Sequence, residues 1–122
     1  MALPAYMKAT VRAAPATNYE VGLTAHDDGA GVDMRTMFDR NDVWHGTTTL
    51  KVLRRAETID LVYVKHQNGD GKDTDVAGLK EGDVIVTLRE TPDGVRGTWV
   101  KLAPANLDQA GFVPAEKPPD FF

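Results

Sequence analysis

The stretch Val84-Ile85-Val86-Thr87-Leu88 gives the clearest fold signal in the sequence, and it directly follows the turn Lys80-Glu81-Gly82-Asp83. A run of β-branched and other apolar residues is typical of a β-strand. Glycine among charged residues favours a turn, because it adopts positive φ without steric cost. The sequence therefore predicts a strand that begins immediately after this turn.

Similar short runs lie on both sides of this strand. They are rich in β-branched and aromatic residues, and they end at glycine, proline, asparagine or aspartate, which favour turns. The further predicted strands are residues 8–12, 19–23, 50–53, 59–64, 98–102 and 111–113. Short strands at such spacing are typical of a small all-β antiparallel barrel.

The first part of the chain is less regular. Pro15 predicts a loop over residues 13–18, since proline breaks regular structure. Met34, Met37 and Phe38 are spaced i, i+3 and i+4, which places them on one face of a helix. We therefore expect one short helix over Met34–Asp39, within an N-terminal extension or insertion of the barrel.

Residues 78–116 resemble the C-terminal half of bacterial-type Src-homology-3 domains. The resemblance lies in Lys80-Glu81-Gly82 before an apolar strand, Gly97-Thr98-Trp99-Val100 in the next strand, and Gly111-Phe112-Val113-Pro114 in a last one. Residues 11–22 look like the opening of the same family. The resemblance implies a Src-homology-3-like barrel. Because some 55 residues separate the two matches, the barrel starts either near residue 8 or near residue 50.

The length of 122 residues predicts a single domain. Within it we distinguish a less regular region at residues 1–49, a barrel core at 50–116 and an extended tail at 117–122. The net charge of −4 offers no basic surface for nucleic acid. No signal-peptide core or transmembrane run is visible, so we expect no membrane partner. The location of the protein stays open, with a virion among the alternatives.

Two polar clusters are candidates for metal binding. Residues 68–75, Asn-Gly-Asp-Gly-Lys-Asp-Thr-Asp, resemble part of a calcium loop, but the first and the closing carboxylate are missing. This composition favours a solvated hairpin loop, with weak calcium binding as the alternative. His26, Asp27, Asp28 and Asp33 form the second cluster, which lacks the paired histidines of common zinc motifs. We predict no metal and no cofactor.

The chain contains neither serine nor cysteine, which removes the commonest nucleophiles of covalent catalysis. We therefore expect a protein that is not an enzyme. The remaining alternative is a metal-dependent hydrolase that uses His26, Asp27 and Asp28.

Two functions compete for a non-enzymatic barrel. The first is a structural or assembly protein, such as a virion or phage component, that forms homo-oligomers through its termini. Phe121 and Phe122 would then contact a neighbouring subunit, because two large apolar residues after a diproline gain free energy by burial. The second is a monomeric module that binds a peptide or a cell-wall ligand in a barrel groove lined by Tyr19, Tyr63 and Trp99. We expect Phe112 to belong to the core.

Overall fold

The fold consists of β-strands throughout the part of the chain that the structure describes. This structure is a computed structural model, and it describes residues 1–13, 17–38, 46–101 and 111–116. The strands, in chain order, are β1 Tyr6–Ala13, β2 Thr17–Ala25, β3 Gly31–Phe38, β4 Thr47–Arg54, β5 Thr58–Gln67, β6 Asp73–Thr74, β7 Val84–Thr91, β8 Gly94–Trp99 and β9 Val113–Pro114. The all-β prediction is confirmed.

All the strands join one antiparallel sheet that curls into a nearly closed barrel. The order across the sheet is β8-β7-β5-β4-β3-β2-β1-β9, with the short β6 added beside β5. The two ends of this order meet where Gly97 and Phe112 exchange backbone hydrogen bonds of 2.9 Å in both directions. The described sheet thus begins at Tyr6, and β1–β3 are part of the barrel.

The core lies on the inner face of the barrel. Leu50, Leu61, Val86, Leu88 and Phe112 are fully buried there. Phe112 belongs to this core, as the sequence predicts. Its burial is worth about 1.5–3 kcal/mol in transfer free energy. The short β9 is therefore held to the barrel by this side chain as well as by its pairing with β1.

Strand β5 takes part in two β-bulges that change which residues face inward, one on β5 itself and one on its neighbour β7. Its pairing with β4 shifts between Leu50, opposite Tyr63, and Thr49, opposite Lys65, so Val64 is an extra residue on β5. In its pairing with β7, Leu61 is opposite Val86 and Val62 is opposite Val84, so Ile85 is an extra residue on β7. Each β-bulge bends the sheet and reverses the inward–outward alternation beyond it.

The helix predicted over Met34–Asp39 is not found in the described residues. Met34–Phe38 belong instead to β3, which pairs with β2 from Val32 to Phe38. The helical spacing of Met34, Met37 and Phe38 is real, but pairing with a neighbouring strand satisfies the backbone here. Tertiary pairing has overridden a local pattern. Asp39 lies outside the described residues.

The strand predicted at residues 98–102 is also displaced. Strand β8 starts at Gly94 and ends at Trp99. Gly97 lies in its middle because a side chain there has no room: a Cβ atom would be 2.9 Å from both Leu88 Cδ2 and Phe112 Cβ. The glycine lets β8 approach Phe112 closely enough to close the barrel.

Candidate functional site

The structure describes the side chains of two of the three aromatic residues predicted to line one groove, Tyr63 and Trp99. Tyr63 is only 6% exposed and belongs to the core. Trp99 is half-buried, and its ring packs against Phe112 with centroids 5.3 Å apart at 48°. Tyr19 lies on β2, where its backbone pairs with Phe38. The described rings of Tyr63 and Trp99 therefore form no shared exposed surface.

Phe121 and Phe122, the predicted subunit contacts, lie outside the described residues.

A polar groove of about 590 Å³ lies beside the bulge of β5, between β6 and the Gly82 turn. We call it the His66 groove. Its lining includes Tyr63, His66, Asp73, Asp75, Lys80 and Glu81. The charges in it are mixed, with the three carboxylates against the two lysines Lys65 and Lys80.

His66 is the most constrained side chain in this groove. The bulge at Val64 turns His66 to the same face of the sheet as Thr48, and Thr48 Oγ1 lies 2.8 Å from His66 Nδ1. Burial lowers the pKa of His66 below its ordinary value of 6.5, because a charged imidazole loses hydration there. The imidazole is therefore neutral at pH 7, and one of its nitrogens is held by the threonine.

Tyr63 shares the groove with a carboxylate. Burial, and secondarily the negative charge of Asp75, raises the pKa of Tyr63 above 10.0. The phenol thus stays protonated at any physiological pH. Its backbone is also fixed, because its N–H donates to Asp83 O (2.8 Å) and its carbonyl accepts from Gly82 N–H (3.0 Å).

The Gly82 turn is held by the carboxylate of Asp83. This carboxylate accepts hydrogen bonds from Lys101 Nζ at 2.8 Å and from the Lys80 backbone N–H at 3.0 Å. Both bonds lower the pKa of Asp83 below its ordinary value of 3.8, and the bond from Lys101 has the larger effect. Gly82 itself has φ of 99°, which fits the turn predicted from the sequence. The carboxylate here has a structural role, since its oxygen already has two donors.

A second groove, of about 290 Å³, lies on the outer face of the barrel, and we call it the Leu53 groove. Lys51, Val62 and Val84 are direct cross-strand neighbours in its floor. Leu53 is 36% exposed. Its lining also includes Arg55, Val64 and Glu81. The groove thus combines an apolar floor with charged residues at its rim.

Side chains in both candidate metal clusters make local hydrogen bonds. Asp70 accepts from the Lys72 backbone N–H at 3.0 Å, and Asp73 accepts from Gln67 Nε2 at 3.1 Å, as in a hairpin loop. His26 Nε2 lies 2.8 Å from Asp33 Oδ1, while Asp28 accepts from the Ala30 N–H. Within the described ranges, no three histidine, aspartate or glutamate side chains are grouped to hold a metal ion.

The grooves were not predicted from the sequence, although one signal pointed to the Leu53 groove. Leu61-Val62-Tyr63-Val64 is apolar without alternation, whereas a strand with one solvated face alternates. Such a run indicates apolar residues on both faces of β5. Nothing comparable marks His66, since its inward position depends on a bulge.

No family model, curated protein or solved structure matches this chain. In the described part of the chain, no helix has the length and apolar character to cross a membrane.

Proposed function

We propose that this chain is a non-enzymatic structural protein that assembles with copies of itself, of the kind found in virions and phage particles. The observation that supports this most is a three-stranded arm. We use "arm" for residues 10–13 of β1, 17–20 of β2 and 36–38 of β3, which pair with one another beyond the body of the barrel.

The arm has two outer strand edges. Strand β9 pairs with β1 only at Met7 and Lys8, and β4 pairs with β3 over Gly31–Met34. Among the described strands, none covers the outer edge of Thr10–Ala13 or of Thr36–Phe38. An open edge presents unpaired N–H and C=O groups, which readily pair with another chain. In a protein that assembles, such an edge is a natural contact.

The residue inventory is consistent with a non-enzymatic role. The chain has no serine and no cysteine, and the imidazole of His66 is already hydrogen-bonded to Thr48. Neither groove brings an activated nucleophile next to a general base in the described residues. A metal-dependent reaction at His26, Asp27 and Asp28 is the competing proposal, and metal analysis of protein purified without chelators would test it.

Sedimentation velocity of the full chain over a wide concentration range tests the assembly proposal. We expect a weight-average mass that rises with concentration to species larger than the 13.3 kDa monomer. A strict monomer at millimolar concentration would overturn the proposal.

The His66 groove supports a second candidate, a monomeric module for a peptide or cell-wall ligand. Its size is that of small-ligand sites, and its mixed charges would suit a ligand that carries both signs. Titration of peptides and peptidoglycan fragments, followed by chemical-shift changes at His66 and Asp75, would test it. If millimolar ligand causes no saturable chemical-shift change, this candidate is removed.

We also propose that the barrel is Src-homology-3-like in its C-terminal half. The support is the order of features: the Gly82 turn, then β7, then β8 with Trp99, then Phe112 and β9. The strands β1–β3 are a departure from the family pattern within the same sheet. An experimental structure superposed on members of that family would test the proposal.

A further inference from the structure

We propose that the tail, residues 117–122, docks in the Leu53 groove of a second copy of this chain, so that copies associate head to tail. The inference rests on the proposed function, because it names the contact through which self-assembly would occur. It joins three observations: the chemistry of the groove, the composition of the tail, and the place where the described chain ends.

The groove offers apolar area that the described chain leaves uncovered. Val62 and Val84 form the floor, and Leu53 stands at its side with 36% of its surface exposed. Two cations border this area: Lys51 is exposed, and Arg55 makes an exposed pair with Asp60 at 3.2 Å. Glu81 supplies a negative charge on the side of the Gly82 turn.

The tail has the complementary composition. Its sequence is Lys117-Pro118-Pro119-Asp120-Phe121-Phe122. The phenylalanines match the apolar floor, Asp120 matches the cations Lys51 and Arg55, and Lys117 matches Glu81. Consecutive prolines favour an extended conformation before binding, so docking costs little conformational entropy. A groove of about 290 Å³ suits one or two side chains better than a whole small ligand.

The floor of the groove at Val62 and Val84 lies at the limit of what the tail of the same copy can reach, although Leu53 and Arg55 lie closer to Glu116. Because the Gly97–Phe112 bridge is antiparallel, Glu116 falls near the start of β8, where Gly94 pairs with Thr91 at the end of β7. Val84, in the groove, is at the other end of β7. At about 3.3 Å per residue, the two ends of β7 are roughly 23 Å apart. The two strand spacings between β9 and β7 add a sideways distance of about 10 Å.

The straight distance is therefore about 25 Å, and the path over the barrel surface is longer. Six fully extended residues span at most about 20–21 Å. The geometry therefore favours the groove of another copy for the two phenylalanines. Contacts of this kind join two different surfaces, so they form rings if the rotation closes and filaments if it does not.

A mixing experiment with two full-length variants tests the docking directly. The tail variant carries Phe121→Ser and Phe122→Ser. The groove variant carries Lys51→Glu and Leu53→Gln, where glutamine avoids placing a charge opposite Asp60, the cross-strand neighbour of Leu53. The matched control carries Lys72→Glu and Val100→Gln, the same changes at exposed positions outside the groove.

We expect the apparent dissociation constant for self-association to rise at least about tenfold in each of the first two variants, and to stay unchanged in the control. Mixed one to one, the tail and groove variants should associate more tightly than either variant does alone. Each pair then holds one intact tail and one intact groove. Sedimentation velocity measures both results, and circular dichroism checks that the variants fold.

Two results would contradict the docking while leaving assembly intact: variants that associate as strongly as the wild type, or a mixture that associates no more tightly than either variant alone. A wild type that is monomeric at every concentration would overturn both the docking and the proposed function. Protection of the wild-type tail from proteolysis in such a monomer, lost in the groove variant, would show instead that the tail binds its own copy.

Discussion

The hydroxyl oxygen of Thr48 lies 2.8 Å from Nδ1 of His66, across β4 and β5, on the face of the sheet that the core occupies. Thr48 is buried, and His66 is half-buried at the edge of the His66 groove. This hydrogen bond joins two polar groups that would otherwise be partly desolvated without a partner. It therefore fixes the rotamer of the histidine. It also lies at the boundary between the hydrophobic core and the His66 groove.

Replacement of Thr48 by valine should destabilise the protein by about 1–2 kcal/mol. Valine has nearly the same shape, so the loss comes from the imidazole nitrogen left without its partner. Urea denaturation measures the change. In the background His66→Phe, Thr48→Val should cost much less, because no imidazole remains to be left unpaired. An equal cost in both backgrounds would mean that the hydrogen bond contributes nothing.

The stability of the protein should depend on the protonation of His66. Since burial lowers the pKa of His66 in the folded chain, the unfolded chain binds more protons once the pH drops below about 6.5. Acidification therefore favours unfolding as the pH falls from 6.5 towards the folded pKa. We expect the free energy of unfolding to fall more between pH 7.5 and 5.5 in the wild type than in His66→Gln. Parallel pH profiles would contradict this prediction.

Gly82→Val should destabilise the protein by about 1–3 kcal/mol, through the backbone alone. Gly82 has φ of 99°, yet a Cβ atom there would meet nothing within 4 Å. The cost therefore comes from a conformation that a β-branched residue rarely adopts. Gly69→Val, in an exposed loop without positive φ, is the matched control and should change stability by less than about 0.5 kcal/mol. Thermal and urea unfolding of both variants would measure the difference.

Gly97→Ala should destabilise the barrel by crowding, at about 1–3 kcal/mol. The added methyl group would lie 2.9 Å from Leu88 Cδ2 and from Phe112 Cβ, so side chains or strands must move apart. We expect faster hydrogen exchange at the Phe112 amide, which donates to Gly97 O. The cost should shrink in the background Phe112→Leu. If exchange at Phe112 stays unchanged, β8 and β9 tolerate the methyl group without separating.

The sequence predicted the strands whose signals are local. Val84–Leu88 and Ile59–Val64 lie within β7 and β5, and the Gly82 turn has the positive φ that its composition indicated. The Met34–Phe38 segment was assigned wrongly, because a helical spacing also fits a strand when neighbouring strands pair with it. Local propensity contains no information about those neighbours.

The grooves could not be predicted in this way. The His66 groove depends on the extra residue in β5, and a bulge leaves no strong mark on composition. Tyr63 and Trp99 were predicted to line one ligand groove; Tyr63 is in the core and also borders the His66 groove, and Trp99 packs on Phe112. Aromatic residues are as well suited to filling a small barrel as to binding ligands, and only the packing distinguishes the two.

The extra residue Val64 determines which amino-acid substitutions β5 tolerates. Before it, the odd-numbered residues Ile59, Leu61 and Tyr63 are buried, whereas after it the even-numbered His66 takes the inner position. The inward-facing residues of β5 are therefore odd-numbered before Val64 and even-numbered after it. In a library of all single substitutions, polar residues should be rejected at odd positions up to 63 and accepted at 65. Deletion of Val64 would remove the bulge and leave a single alternation along β5, with Lys65 still opposite Thr49 and His66 still opposite Thr48.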